Sequence, residues 1–253
     1  MKEFRYFYAP EALTETILPA DEASHALRVL RLREGDELHV TDGRGHLIEA
    51  TITEAHKDIC RYNINKVEEM SRPWPCGVHL AVAPTKNIDR MEWLVEKATE
   101  IGVDSITFLE CTNSERRVIK TERLDKIAVA AMKQSHKCYK PHINGMTSFE
   151  QYVESSEAEG YIAHCYDDAD LLIDGTKPFL LDALKSRESR VESRESRVGG
   201  MSVLIGPEGD FSPEEVRQAI RKGYTPVSLG QSRLRTETAA LVAVHLMQLA
   251  IGS

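Results

Sequence analysis

Long apolar runs are missing from this chain: no stretch reaches the length of about 20 residues that a membrane-spanning helix needs. The opening Met1-Lys2-Glu3-Phe4-Arg5 lacks the apolar core of a secretory signal. Cysteine is sparse, and Cys60, Cys76, Cys111, Cys138 and Cys165 stand singly, with no C-x-x-C pair. An odd, dispersed set predicts reduced thiols in a cytoplasmic protein, not a disulfide frame or a zinc site. The nine histidines fall into no H-E-x-x-H or related spacing, so no metal is expected. A Walker A loop is absent, and Gly43-Arg44-Gly45 runs into His46-Leu47-Ile48 without the third glycine of a dinucleotide fingerprint. These absences argue against a membrane protein, a metalloenzyme and the commonest nucleotide cofactors.

Basic charge is also short overall. The 253 residues carry a net charge of −8, which alone argues against a nucleic-acid partner. Its distribution matters more than its sum. Residues 111–140 hold eight Lys or Arg against Glu115, Glu122 and Asp125, whereas residues 141–200 hold twelve acids against six bases. One basic segment is therefore in position to meet phosphates, although from charge alone a solvated helix face reads equally well. With 42% hydrophobic residues, the chain has material for one large domain or for a small and a medium one.

The pattern changes near residue 73. Before it come short strands: Tyr6-Phe7-Tyr8, residues 37–40, 47–52 and 61–64, with Asp42-Gly43-Arg44-Gly45 as a hairpin turn. Asp21 to Leu32 is the one helical stretch there, so residues 1–72 are expected to form a small β-barrel. Two prolines in Arg72-Pro73-Trp74-Pro75 favour an extended link, which places a domain boundary at that point. From 73 to 253, strands at 78–83, 106–109, 161–166 and 201–205 alternate with helices, which predicts an α/β fold. Asn87 caps a helix that buries Met91, Leu94, Val95 and Ala98 and stops at Gly102. Ser212-Pro213-Glu214-Glu215 has serine, proline and glutamate where a helix start wants them. The last helix, Glu237 to Ile251, is apolar nearly all round, which predicts core packing plus a subunit interface. Residues 186–198 repeat a seven-residue unit, Ser-Arg-Glu-Ser-Arg-Val-Glu, with little to bury; a charged flexible insertion is expected.

Chemistry concentrates near the C-terminus. Ile205-Gly206-Pro207-Glu208-Gly209 follows an apolar strand, and Ser228-Leu229-Gly230 comes some twenty residues later. Leu234-Arg235-Thr236-Glu237-Thr238-Ala239 then opens the last helix. Glycine turns between a strand and a helix present backbone N–H groups to a small polar ligand, because a residue without Cβ lets the main chain approach. Either turn alone reads as an ordinary strand exit; two in series read as a binding site.

This pair of loops resembles those of the SPOUT methyltransferases, whose C-terminal trefoil knot holds S-adenosylmethionine, and most of all the RsmE family. Further likeness lies in His25-x-x-Arg28-Val29-Leu30-Arg31-Leu32, in Lys86-x-x-Asp89-Arg90-Met91-Glu92-Trp93, in Ser114-Glu115-Arg116 and in Gln134-Ser135. It covers nearly the whole chain except about 150–200. Asp210 stands where a second glycine is common in that family, Arg233 where an aliphatic residue is usual, and Lys137 where arginine is frequent.

The resemblance implies a PUA-like RNA-binding barrel followed by a knotted α/β methyltransferase domain. The implied reaction is transfer of a methyl group from S-adenosylmethionine to N3 of a uridine in 16S ribosomal RNA, in the decoding region of the small subunit. Residues 205–209, Ser228, Leu229, Gly230, Leu234 and Ala239 would then hold the cofactor. Arg235 and Glu237 are the catalytic candidates: Arg235 as an electrostatic and positioning group for the uridine imide or its phosphate, and Glu237 either for chemistry or to offset the helix dipole. Arg28, Arg31, Arg90, Arg116, Arg117 and Gln134 are the RNA-binding candidates. A homodimer working on small-subunit particles, without metal or membrane, completes the expectation. Ribose 2′-O or guanine N1 methylation within the same superfamily, or a non-catalytic assembly factor, are the competing readings. A valine at Gly206 or Gly230 is expected to abolish cofactor binding in a folded protein, by filling ligand space.

Overall fold

The computed structural model describes residues 5–72, 74, 76–156, 159–166, 177–188 and 200–251. The chain divides into two compact units, Met1–Pro73 with Ala128–Lys140, and Trp74–Ile127 with Pro141–Ser253.

In the first unit, β1 (Tyr6–Tyr8), β2 (Glu37–Thr41), β3 (His46–His56) and β4 (Ile59–Glu69) form one sheet in that order. The pair β1–β2 is parallel and the other two pairs are antiparallel. Alternate residues face the core, as strand geometry requires: Leu38 and Val40, then Ile48, Ala50 and Ile52, then Cys60 and Tyr62. An isolated antiparallel bridge between Ile17 and Arg61 adds to the β4 side of this sheet. The turn after β2 is held by Asp42, whose Oδ1 accepts the Arg44 and His46 N–H groups at 2.8 and 3.2 Å. Residues 138–140 lie along this turn, with Gly45 N–H donating to Cys138 O at 2.9 Å and Lys140 N–H to Gly43 O at 2.8 Å.

Helix α1 (Ala20–Ser24) widens into a π-helical turn over His25–Val29, where the Leu30 N–H reaches back to His25 O at 3.0 Å. The helix expected to run to Leu32 thus stops short. Arg31 takes a φ of 58°, in the left-handed region, and Val29 is 68% exposed. A π turn holds an extra residue and so re-aims the side chains beyond it; such insertions recur at functional sites.

In the second unit six strands run parallel: β5 (Val78–Val82), β6 (Ser105–Glu110), β7 (His142–Ser148), β8 (Glu159–Ala163), β9 (Met201–Ile205) and β10 (Thr225–Val227). Their order is β10-β8-β9-β5-β6-β7. Every residue of β9 is buried, as a central parallel strand demands. The connecting helices are α2 (Ile88–Ile101), α3 (Thr121–Gln134), α4 (Phe149–Ser155), α5 (Leu180–Glu188), α6 (Pro213–Arg221) and α7 (Thr236–Ile251). Residues of α3 from Ala128 on count with the first unit.

Local chemistry explains the ends of these helices. Asn87 accepts the Asp89 N–H at 3.0 Å to start α2, and Gly102, at a φ of 127°, ends it. Ser212 and Glu215 form a reciprocal capping box on α6, with Pro213 in its first turn. Strands β7 and β10 and helices α4 and α5 carry no pattern that the sequence reading recognised. The strand read over 161–166 ends at Ala163. Of the charged repeat, Ser186–Glu188 end α5, and the rest lies outside the described residues. Helix α7 buries Ala240, Ala243, Val244, Leu246, Met247 and Ala250, while Leu249 is exposed. Among the described residues no helix is long and apolar enough to cross a membrane.

Gly160, in β8, lies under the buried Tyr224 ring, where an added Cβ would sit 2.2 Å from ring carbons. Gly160→Ala is therefore expected to lower stability by about 1–3 kcal/mol through overpacking. Urea denaturation measures this, and an unchanged midpoint would contradict the packing described.

Candidate active site

Parallel strands send their connections out at one end, and the crevice beyond the carboxyl ends is where such sheets bind ligands. Here the ends of β8, β9 and β10 lie side by side, and the segments following them enclose a cavity of ≈ 690 Å³. That volume is in the range of small-molecule sites, about 300–1,000 Å³. The exit of β8 contributes Ala163, His164, Cys165 and Tyr166. The exit of β9 contributes Ile205, Gly209 and Asp210. Val227 at the end of β10 and residues 228–234 after it form the longest wall, with Lys177 and Ala239 completing the lining. One part of that lining is apolar (Ile205, Val227, Leu229, Leu234, Ala239) and another is charged (Asp210, Lys177, Arg233).

The walls are fixed mainly through main-chain contacts. Ser228 Oγ accepts the Gly230 N–H at 3.1 Å and donates to Gly230 O at 3.2 Å, and Gly230 takes a φ of 124°. Ser228 is also tied to the start of α5, donating to Pro178 O and accepting from the Leu180 N–H, both at 2.9 Å. Lys177 Nζ donates to His164 O at 3.0 Å and to Tyr166 O at 2.5 Å. Thr236 Oγ1 donates to Gly206 O at 3.2 Å, which joins the start of α7 to the exit of β9. Burial, followed by the nearby Asp210 carboxylate, pushes the Cys165 thiol above its ordinary value. The thiol is therefore mostly protonated at neutral pH.

Of the expected cofactor residues, Ile205, Gly209, Ser228, Leu229, Gly230, Leu234 and Ala239 line this cavity. Gly206, Pro207 and Glu208 do not, and each has a visible alternative task. Pro207 O accepts the Asp210 N–H at 2.9 Å, closing the turn. Glu208 Oε1 accepts the Lys86 N–H at 3.2 Å, tying the turn to the segment after β5. A Cβ on Gly206 would meet Phe211 N at 3.0 Å, so this glycine makes room for the turn's own backbone. A valine there would therefore strain the turn itself, which adds a packing cost to any loss of ligand space.

Arg235 is exposed and lies outside the cavity lining. Glu237 is buried at 8% exposure, and its Oε1 lies 3.6 Å from Arg90 Nε. Arg116 is engaged by its own unit, its Nε donating to Thr85 O at 3.0 Å, and Arg117 pairs with Glu110 at 2.9 Å. In the first unit, Arg28 pairs with Asp58 at 2.6 Å with both side chains largely exposed, and Gln134 is exposed at the end of α3. The sequence reading missed the whole wall after β8, because His164-Cys165-Tyr166 was taken as strand. The acidic run that starts at Asp167 was the available sign that the strand had already ended.

Residues 72–248 match the RNA methyltransferase domain family, and residues 18–61 match the RNA methyltransferase PUA domain family. A ribosomal RNA small subunit methyltransferase E from Synechocystis is 30% identical over 95% of this chain and 76% of that protein. A protein of the same description from Bacillus subtilis is 24% identical over 90% of this chain and 87% of its own. Among solved structures, a probable rRNA-methyltransferase from Porphyromonas gingivalis is similar with a TM-score of 0.85 and 41% identity, covering 98% of this chain and 99% of that one. A ribosomal RNA small subunit methyltransferase E from Neisseria gonorrhoeae, solved bound to S-adenosyl methionine, gives a TM-score of 0.79 and 25% identity, covering 98% of each chain.

The two glycine substitutions should now behave differently. Gly206→Val is expected to destabilise the protein by about 1–3 kcal/mol, since Phe211 must give way. A Cβ on Gly230 has open space around it, so Gly230→Val acts through its φ and should distort the loop locally. Thermal unfolding of the pair checks this; equal melting temperatures would contradict it.

Proposed function

The chain belongs to the ribosomal RNA small subunit methyltransferase E family, and from that premise we propose that it methylates N3 of a specific uridine in 16S ribosomal RNA, using S-adenosylmethionine. The observation that carries the reading is the cavity formed by the exits of β8, β9 and β10. Its residues fit the cofactor in kind: Ile205, Val227, Leu229, Leu234 and Ala239 offer apolar surface to an adenine, and Asp210, Lys177 and Arg233 offer charge to an amino-acid moiety. When bound, S-adenosylmethionine supplies an electrophilic methyl group on a sulfonium sulfur. The protein's share is to hold the partners in line and to favour loss of the uridine N3 proton.

Gly209 and Gly230 let backbone approach the cofactor, while Ser228 and Gly230 keep the second loop in shape. Gly206, Pro207 and Glu208 are assigned the task of shaping the first loop. Arg235, exposed at the start of α7, is assigned to the negative charge that develops on the imide. Glu237, buried against Arg90, holds the start of that helix beside it. Arg28 and Arg31, displayed at and beyond the π turn, are assigned to RNA phosphates together with exposed basic residues of 116–140. The exposed Arg28–Asp58 pair is worth little in water and yields readily to a phosphate.

A trefoil knot, a homodimer and a cytoplasmic location belong to the same proposal. Supporting the knot is the contact of Thr236 with Gly206, and tracing the segment after Gly230 relative to the 203–211 loop in a crystal structure tests it. Supporting the dimer are two exposed large apolar side chains, Trp93 on α2 and Leu249 on α7. Sedimentation that finds only a 28.4 kDa species at micromolar concentration would end that part.

Mass-spectrometric mapping of 16S ribosomal RNA from a deletion strain should show one N3-methyluridine lost, restored by the gene. In vitro, small-subunit particles should be methylated in preference to short naked oligonucleotides. A 2′-O-methylated product, or equal use of both substrates, would overturn the assignment. Joint Arg28→Ala and Arg31→Ala replacement should weaken RNA binding about tenfold or more at moderate salt and flatten its salt dependence. Cofactor affinity should stay unchanged, and a joint loss of both affinities would contradict a separate RNA-binding role for these arginines.

A further inference from the structure

Asp210 has a φ of 63°, in the left-handed region where a side chain is uncommon, so something must hold it there. Its carboxylate is engaged on both oxygens. Oδ1 accepts the neighbouring Phe211 N–H at 2.8 Å, and Oδ2 accepts the Cys165 N–H at 2.7 Å, 45 residues away in sequence. The first contact is a local turn bond. The second crosses from the loop after β9 to the loop after β8, and both Asp210 and Cys165 line the cavity. Asn113 Nδ2 fixes the same turn from another side, donating to Gly209 O at 3.3 Å and Asp210 O at 3.0 Å.

We propose that Asp210 is a positioning residue for cofactor binding, tying two walls of the cavity together and so setting its width before the ligand arrives. The proposal rests on the reading that S-adenosylmethionine occupies this cavity. A glycine at this position would adopt the backbone conformation freely, yet it would leave the Cys165 amide without its acceptor. Hydrogen bonds to an ionised acceptor are about twice as strong as neutral ones. A wall ordered in advance also spares the ligand the cost of ordering it. Asp210 thus trades an uncommon backbone conformation for a bond that a glycine cannot make.

The test compares the full chain carrying Asp210→Gly or Asp210→Asn with the wild type. Amide hydrogen exchange is read at Cys165 and Phe211 without cofactor, S-adenosylmethionine affinity by calorimetry, and kcat and KM on small-subunit particles. For Asp210→Gly, exchange at Cys165 should be about tenfold faster, and Kd and KM for S-adenosylmethionine about tenfold higher, as loss of one charge-assisted bond implies. Saturating kcat should stay within about twofold, and cooperative unfolding should persist. Asp210→Asn, which accepts both φ and one of the two bonds, should fall between. Unchanged exchange at Cys165, unchanged affinity, or a fall in kcat equal to that in kcat/KM would each overturn the proposal alone. A wild-type protein that binds no S-adenosylmethionine would instead overturn the cofactor reading, and the proposal with it.

Discussion

The site depends on one constraint: three parallel strands must end together. Strand β9 is buried along its whole length and hydrogen-bonded on both sides, to β8 and β5, so its exit point cannot drift. Strand β10 is only three residues long and pairs with β8 alone, yet it brings residues 228–234 beside that exit. Given this frame, the loops need little of their own to converge. What they do need is supplied by carboxylates and hydroxyls directed at backbone amides: Asp210 on Cys165, Glu208 on Lys86, Ser228 on Gly230, and Glu215 on Ser212 and Thr112. Acidic side chains near the cavity thus serve chain geometry, which is why counting charges in the sequence said little about their use.

What the sequence made legible was local. The capping box of Ser212 and Glu215, the Asn87 cap, the Gly102 stop and the Asp42 turn each depend on residues within a few positions, and each stands where its residues indicate. The long buried strands were legible because burial on both faces leaves an unbroken apolar run. Strand β7 was not, since His142-Ile143-Asn144-Gly145-Met146-Thr147-Ser148 is a partly exposed polar edge, stabilised by pairing with β6 rather than by its own pattern. At the site, the glycine turns could be read as a pair. The wall after β8 could not, because its membership is set by neighbours in space. Likewise, Gly206 and Gly230 look alike in sequence, and only the direction of the absent Cβ separates a packing glycine from a conformational one.

The first unit illustrates how a net acidic chain can still present cations selectively. Three of its arginines are answered by acids of the same unit: Arg28 by Asp58, Arg44 by Glu11 and Arg61 by Glu54. Arg31 has no ion pair among the described residues and lies just past the π turn that ends α1 early. It is exposed, and its backbone sits in the left-handed region. Composition averages that detail away.

None of the five cysteines is in a disulfide, and Cys165 is the exposed one. Burial pushes the Cys60 thiol up to about 11 and raises those of Cys111, Cys138 and Cys165 as well, so access and not acidity sets Cys165 apart. The chain therefore carries a built-in attachment point in the cavity wall. A fluorophore or spin label directed at thiols in mildly alkaline solution should couple at one position without prior removal of the other four. Thiol-directed molecules matched to the shape of this cavity would likewise meet there the one sulfur that is accessible, the other four being buried.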